Sequence, residues 1–293
     1  MGGLYDGITK IKTIHILGIY RQNEKYLAFL LKRFTEWETY YNDISFQYYF
    51  LENSSTDNTR KLLNDFIKSR KKSKLIIYKM KKDYTNTDDG RNYSRIHTLA
   101  KLRNMLVDQI TPLPKNEWSL FIDSNLYFQD DILGQIFNEV QPTDQNIAMI
   151  SVFSQQLLLP EIHSKMIKEP VLMNHYYDTY SLIDINRKSF FPKCPFEKCT
   201  ICTKYHNDNE KIKDIPRISK ENNVVEVSCC FGGFVLIKTD VYNNPKIRWD
   251  TVCFDLENDK SLCEHLLFCD RLKTITSQKI VLLQNVDKIY RTI

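Results

Sequence analysis

Between residues 13 and 122 the chain repeats one pattern: a short apolar run, a polar turn, then apolar residues at helical spacing. TIHILGIY (13–20) is an apolar run, and Leu27, Leu30, Leu31, Phe34 and Trp37 follow it three to four apart. FQYYFLENSSTDNT (46–59) runs from apolar into polar, and Leu62, Leu63, Phe66 and Ile67 mark a second helix. KLIIYK (74–79), a helix over Ile96–Val107 and the run Trp118–Ile122 complete the series. Strands and helices that alternate at these lengths predict an α/β fold whose central sheet is mostly parallel and built by right-handed crossovers. No long linker, internal repeat or low-complexity tract interrupts the 293 residues, so one domain is expected over 1–293. That domain would fall into halves of about 10–130 and about 131–293.

The fourth run stops at a carboxylate. LFIDSNLYFQDD (120–131) delivers Asp123, then Ser124 and Asn125, at the end of a buried strand. Ligands of open α/β sheets bind outside the carboxyl ends of the strands. An acid there can hold a divalent cation and the phosphates bound to it; the other reading is a cap on the next turn. Asn125 in place of a second acid still offers one neutral oxygen.

Several segments together resemble the GT-A-fold, family 2-like glycosyltransferases. Glu52–Thr59 (ENSSTDNT) is similar to their D-D-G-S-x-D-x-T turn, Leu99–Asn104 to their A-x-x-R-N helix, and Asp123-Ser124-Asn125 to their D-x-D. Cys230–Phe234 (CFGGF) resembles their G-G acceptor segment, and Cys263-Glu264-His265 their acidic motif. RIHTLAKLRN (95–104) and YYDTYSLID (176–184) also resemble the fungal capsule-associated α-mannosyltransferases. The motifs span about 13–285 in the family's order. Glu52, Asn53 and Asn125 stand where the family carries Asp.

The resemblance implies transfer of a sugar from a UDP- or GDP-linked donor to a carbohydrate or glycoconjugate acceptor, assisted by Mn²⁺ or Mg²⁺ at Asp123 and Asn125. The donor would meet Ile19, Arg21, Glu52, Asn53, Ser54, Arg103, Asp123, Ser124 and Asn125. Arg95 and Arg91 are weaker phosphate candidates. The acceptor would meet Asp178, Gly232, Gly233 and His265, with Glu264 as the base of an inverting course; the capsule-family likeness would make transfer retaining. Each residue also has a plain structural reading. Glu52–Ser54 could precede a helix cap, Arg103 could pair with a neighbouring acid, Glu264 could cap its helix, and Tyr176, Tyr177, Tyr180, Phe190 and Phe191 could be core rather than sugar-stacking rings. A catalytically degenerate glycan- or partner-binding protein of the same fold is the alternative function.

The charge of +5 is a small difference between 41 basic and 36 acidic residues, too little to argue for nucleic acid. Basic runs at 68–74 and 79–82 read as solvated faces. No stretch approaches the ~18 apolar residues of a membrane span, and the Met-Gly-Gly-Leu-Tyr-Asp start lacks the Ser or Thr of a myristoylation signal. The sequon Asn53-Ser54-Ser55 falls inside the expected donor site, which favours a cytoplasmic protein. Of eight cysteines, Cys194, Cys199 and Cys202, with His206, have spacing compatible with a structural zinc or with free thiols. Cys229, Cys253, Cys263 and Cys269 read as small core residues. Residues 83–93 are expected to form a mobile loop over the donor, and 154–222 an acceptor-binding insertion.

Overall fold

The computed structural model describes residues 8–80, 92–158, 170–176, 178, 180–187, 222–255, 257, 260–284 and 289–292. The alternating pattern becomes β1 (Thr13–Tyr20), α1 (Glu24–Tyr40), β2 (Ser45–Asn53), α2 (Thr59–Lys68), β3 (Lys74–Tyr78), α3 (Tyr93–Asp108) and β4 (Trp118–Ile122). Parallel pairing joins β3 to β2, β2 to β1 and β1 to β4, the order that right-handed crossovers produce. The apolar residues at helical spacing in α1 are the buried ones, Leu27, Leu30, Leu31, Phe34 and Trp37. They pack with Tyr48, Phe50 and Phe66 into an aromatic cluster under one face of the sheet.

The second half extends this sheet and mixes its directions. It continues through β5 (Leu126–Tyr127), α4 (Ile132–Glu139), β6 (Ile147–Val152), β7 (Gln155–Leu158), β8 (Val171–Tyr176) and β9 (Ile183–Asp184). Then come β10 (Val224–Cys229), β11 (Phe234–Lys238), α5 (Thr239–Asn243), β12 (Cys253–Asp255), β13 (Lys260–Ser261), α6 (Glu264–Thr276), β14 (Lys279–Leu283) and β15 (Tyr290–Thr292). The nine-stranded sheet has the order β3-β2-β1-β4-β11-β6-β14-β10-β9. Only β11 and β10 run against the others, so the sheet is mostly parallel. β11 lies between β4 and β6, antiparallel to both. β4 is thus buried on both edges and both faces.

A second sheet, β5-β15-β7-β8, stands beside the exit of β4. Two expectations change here. The insertion 154–222 carries strands β7, β8 and β9 among its described residues, although its polarity shows no period. Ile280–Leu283 is not the last strand: β15 follows, a three-residue segment too short and polar to leave a signal. The helix expected over 262–272 runs Glu264–Thr276, ending where Ser277 turns left-handed at φ 57°. Cys229, Cys230, Cys263 and Cys269 are free and buried, as small core residues should be, whereas Cys253 is only partly buried. Arg91, Tyr177, Phe190, Phe191, most of the expected 83–93 loop and the Cys194–His206 cluster lie outside the described residues. Among the described residues, no helix is long and apolar enough to cross a membrane.

Candidate active site

A cleft of about 550 Å³ opens at the carboxyl ends of β1, β2 and β4. Ile19, Tyr20 and Arg21 enter it from β1, Asn53 from β2, and Asp123, Ser124 and Asn125 from β4. Gly18 is glycine because the Tyr20 ring occupies the space of its side chain. Tyr20 is buried with its hydroxyl donating to the Ile122 carbonyl at 3.5 Å; burial, with Asp123 nearby, pushes that hydroxyl's pKa well up.

The polar turn after β2 is a frame. Asn23 N–H donates to Thr59 Oγ1 at 2.7 Å, Glu24 N–H to Asp57 Oδ2 at 3.1 Å, and Asn58 N–H to Glu24 Oε2 at 3.0 Å, so the turns after β1 and β2 lock together. Glu52 belongs to this frame rather than to the cleft. Fully buried, it holds Arg60 Nε at 2.7 Å and accepts from Ser55 N–H at 2.5 Å. Ser54 ties β2 to β3, accepting from Met80 N–H at 2.9 Å, and does not line the cleft. Asn53 does, 2% exposed, and its Oδ1 has no hydrogen-bond partner among the described residues.

Asp123 sits where β4 meets the Gly232-Gly233 turn. Its N–H donates to the Gly233 carbonyl at 2.9 Å, and its Oδ2 accepts from Arg291 Nη1 at 2.6 Å. Gly233 has φ +72°, and a Cβ there would stand 2.9 Å from Asp123 Oδ2 and 3.0 Å from Arg291 Nη1. Both backbone freedom and close approach therefore require glycine. Gly232 contributes from behind: its N–H donates to Asp178 Oδ2 at 3.0 Å and its carbonyl accepts from Ser154 Oγ at 3.0 Å. Asp178 also accepts from Ser181 Oγ at 2.6 Å. Burial of its carboxyl, together with the charge of Glu264, outweighs those hydrogen bonds and Arg291, and raises its pKa.

The opposite wall is a charged pair. Arg103 of α3 donates to Glu264 Oε1 at the start of α6, both side chains buried. The guanidinium lies 5.7 Å from the Phe121 ring centre and 5.4 Å from that of Phe231. Asn104, beside it in sequence, clasps the Trp249 backbone with bonds of 2.8 and 2.9 Å. The two residues of the R-N motif thus divide the work, one for the cleft and one for the frame. Burial would raise the Glu264 pKa; His265 and Arg103 outweigh it and hold the carboxyl below its ordinary value.

His265 stacks on Phe231 with ring centres 3.6 Å apart and receives Trp249 Nε1–H on Nδ1 at 3.2 Å. Indole is a donor only, so Nδ1 must be the bare nitrogen and Nε2 carries the proton. Burial lowers its pKa to about 3, and the ring is neutral. Cys263, Glu264 and His265 place potential ligand atoms within 4.8 Å of one another. The tautomer fixed by Trp249 takes Nε2 away from a metal, because metallation there would set two N–H groups against each other. His265 is a donor toward Glu264 and the cleft.

A divalent cation at Asp123 and Asn125 would find little to hold it. In a phosphate site a hard cation takes one or two carboxylates from the protein, and the phosphates and water complete its oxygen shell. Here the one acid already gives Oδ2 to Arg291, and Asn125 is neutral. The donor set does not fit a tightly bound cation.

Of the residues expected from the sequence, Ile19, Arg21, Asn53, Arg103, Asp123, Ser124, Asn125, Asp178, Gly233, Glu264 and His265 meet in this cleft, as does Arg95. Glu52, Ser54 and Gly232 support it from outside. Tyr20, between Ile19 and Arg21, and Cys263 of the acidic motif line it as well. Arg291 lines it without having been expected and lies beyond every motif, and Trp249 acts on it through His265.

Comparison with known proteins followed the same lines. No curated protein matches the sequence. Among solved structures, TarS 1–349 of S. aureus has 14% identity and TM-score 0.49, over 96% of this chain and 60% of that one. GalNAc-T7, solved with UDP, GalNAc and Mn²⁺, has 10% identity and TM-score 0.48, over 97% and 44%. The mannosyltransferase PcManGT of Pyrobaculum calidifontis, solved with GDP-Man and Mn²⁺, has 11% identity and TM-score 0.36, over 51% and 39%. The chain therefore spans 60% or less of the length of these proteins. The family model described as Cryptococcal mannosyltransferase 1 matches residues 14–270, most of the chain. The chain therefore belongs to that mannosyltransferase family.

Proposed function

We propose that this chain transfers a sugar from a UDP- or GDP-linked donor to a carbohydrate or glycoconjugate acceptor, as one catalytic unit whose donor half is about 10–130. The observation that carries the reading is the polar inventory of the cleft. A buried acceptor atom without a partner among the described residues, Asn53 Oδ1, shares it with four guanidinium groups at the carboxyl ends of parallel strands. A base or ribose N–H or O–H answers the first, and a diphosphate answers the second.

In transfer, the bond between the sugar's anomeric carbon and the diphosphate oxygen breaks, and its electron pair stays on the diphosphate. The acceptor hydroxyl oxygen forms the new bond and releases its proton. Positive groups placed beforehand stabilise the charge that grows on the leaving group. Arg103 and Arg291 are those groups, and Asp178, Gly233 and His265 face the acceptor. In an inverting course Glu264 takes the proton; in a retaining course the departing diphosphate takes it, and Glu264 positions Arg103.

Buried Asn53 heads the sequon Asn53-Ser54-Ser55. A glycan added there during synthesis could not be folded away, so we place the protein in a compartment without N-glycosylation, such as the cytoplasm. A glycan-binding protein without turnover is the second reading, favoured by the ion pair that occupies Glu264.

Thermal shift with UDP, GDP, CMP and dTDP sugars tests the proposal. At 100 times Kd, a bound nucleotide adds about 2.7 kcal/mol, or about 4 °C of Tm at this size. Asp123→Ala should abolish transfer and move Tm little, because its pair with Arg291 is partly exposed. A response to no nucleotide refutes the donor reading; binding without any transfer selects the second one.

A further inference from the structure

Arg291 enters the cleft on β15, whose register fixes it beside the Asp123 motif. It pairs with Leu126 of β5 on one side and Gln156 of β7 on the other. A side chain delivered by a strand between two neighbours is placed in advance of any ligand. Its Nη1 lies 2.6 Å from Asp123 Oδ2, with Asp123 24% and Arg291 19% exposed. Gly233 leaves room for this contact, since a Cβ would touch both partners. The guanidinium thus engages one of the two carboxylate oxygens of the only acid in Asp123-Ser124-Asn125.

The charges of the cleft agree. Arg21, Arg95, Arg103 and Arg291 are set against Asp123, Asp178 and Glu264, a balance of four to three. A cation bound with a diphosphate takes one or two carboxylates from the protein, with the phosphates and water completing its shell, and the balance here leaves no carboxylate in excess. This cleft carries a positive balance before any donor arrives. Guanidinium is also suited to a diphosphate: its donors are rigid and planar, and its charge persists at every working pH.

We infer that Arg291 is the resident cation of this site, standing in for a divalent metal, so that the nucleoside diphosphate binds and the sugar is transferred without one. This rests on the nucleotide-sugar reading above. Held against Asp123 through Nη1, the guanidinium brings its positive charge to the diphosphate oxygens. When the bond to the anomeric carbon breaks, the electron pair left on the diphosphate is met by Arg291, and the acceptor oxygen closes the new bond with loss of its proton.

The test is calorimetric titration of metal-stripped protein with UDP and GDP, in EDTA and in Mn²⁺, alongside transfer from the corresponding sugar nucleotides. Affinity in EDTA should lie within about threefold of that in Mn²⁺. Arg291→Gln should lose at least tenfold in EDTA and recover with Mn²⁺, because Asp123 is then released to a metal. Arg291→Lys, which keeps the charge, should fall between them, and its Tm reports whether the strand still forms. Binding that requires Mn²⁺ in the wild type would overturn the inference and leave the donor reading standing. So would undiminished EDTA affinity in Arg291→Gln. Binding in neither condition would overturn both.

Discussion

Glu264→Gln removes one charge from the cleft wall and leaves the shape nearly unchanged. Arg103 and Glu264 are 5% and 3% exposed, so the guanidinium would stay buried with a neutral amide as its partner. Removing one member of a buried pair typically costs 3–5 kcal/mol. Gln keeps an oxygen that accepts one hydrogen bond, which places the expected loss near the lower end, about 3 kcal/mol. At about 1.6 °C per kcal/mol for a chain of 293 residues, the Tm should fall by about 5 °C. Arg103→Met should cost a similar amount by stranding the carboxylate. The double variant should return to within about 1.5 kcal/mol of the parent, giving a coupling energy of about 4.5 kcal/mol or more. Urea melts followed by circular dichroism at pH 7.5 supply all four corners of the cycle. The folded state holds the Glu264 pKa below its ordinary value, so the carboxylate's contribution is present above the ordinary range and lost as pH falls through the lowered value. The gap between parent and Gln variant should therefore narrow in acid. Single variants that melt with the parent would refute the buried-pair argument. Activity lost in Glu264→Gln could then be assigned to a proton-transfer role.

His265, with a pKa of about 3 in the folded chain against 6.5 unfolded, binds its proton only on unfolding throughout that interval. Stability should thus fall below pH 6.5 by up to about 1.4 kcal/mol per unit, and His265→Asn should flatten that slope; parallel Tm–pH curves would sink the assignment. Gly233→Ala combines a left-handed backbone, costing about 1–3 kcal/mol, with a methyl group driven between Asp123 and Arg291. A 10²-fold loss of transfer is expected, while Gly232→Ala, at φ +69°, reports the backbone part alone in the same melts.

Much of this arrangement was legible because strand ends advertise themselves. An apolar run that halts at a polar residue marks where a buried strand leaves the sheet, and β1, β2 and β4 all delivered cleft residues at such points. The helix spacing of α1 named its buried face residue by residue. Burial direction was not legible: Glu52 and Asn53 are neighbours at one strand end, yet only Asn53 turns to the cleft, because Arg60, the second residue of α2, claims the other. Arg103 carried two readings, and its pairing with Glu264, 161 residues away, is a tertiary fact that no local pattern encodes. Arg291 was invisible for the same reason. Its strand is three residues long, and its importance comes from the neighbour that it happens to reach.

The position of β11 has a consequence for how such a chain is made. Residues 13–122 look like a self-contained half, yet β4 gains its second neighbour only when residues 234–238 have been synthesised and have closed a loop of more than a hundred residues. Until then its outer edge is bare, apolar and open to any passing strand, the situation in which chains pair with one another instead of themselves. Loop closure of that length is slow relative to local helix formation. A fragment ending near residue 130 should therefore aggregate rather than fold as a small nucleotide-binding module, and full-length yield should depend on how well the nascent edge is shielded.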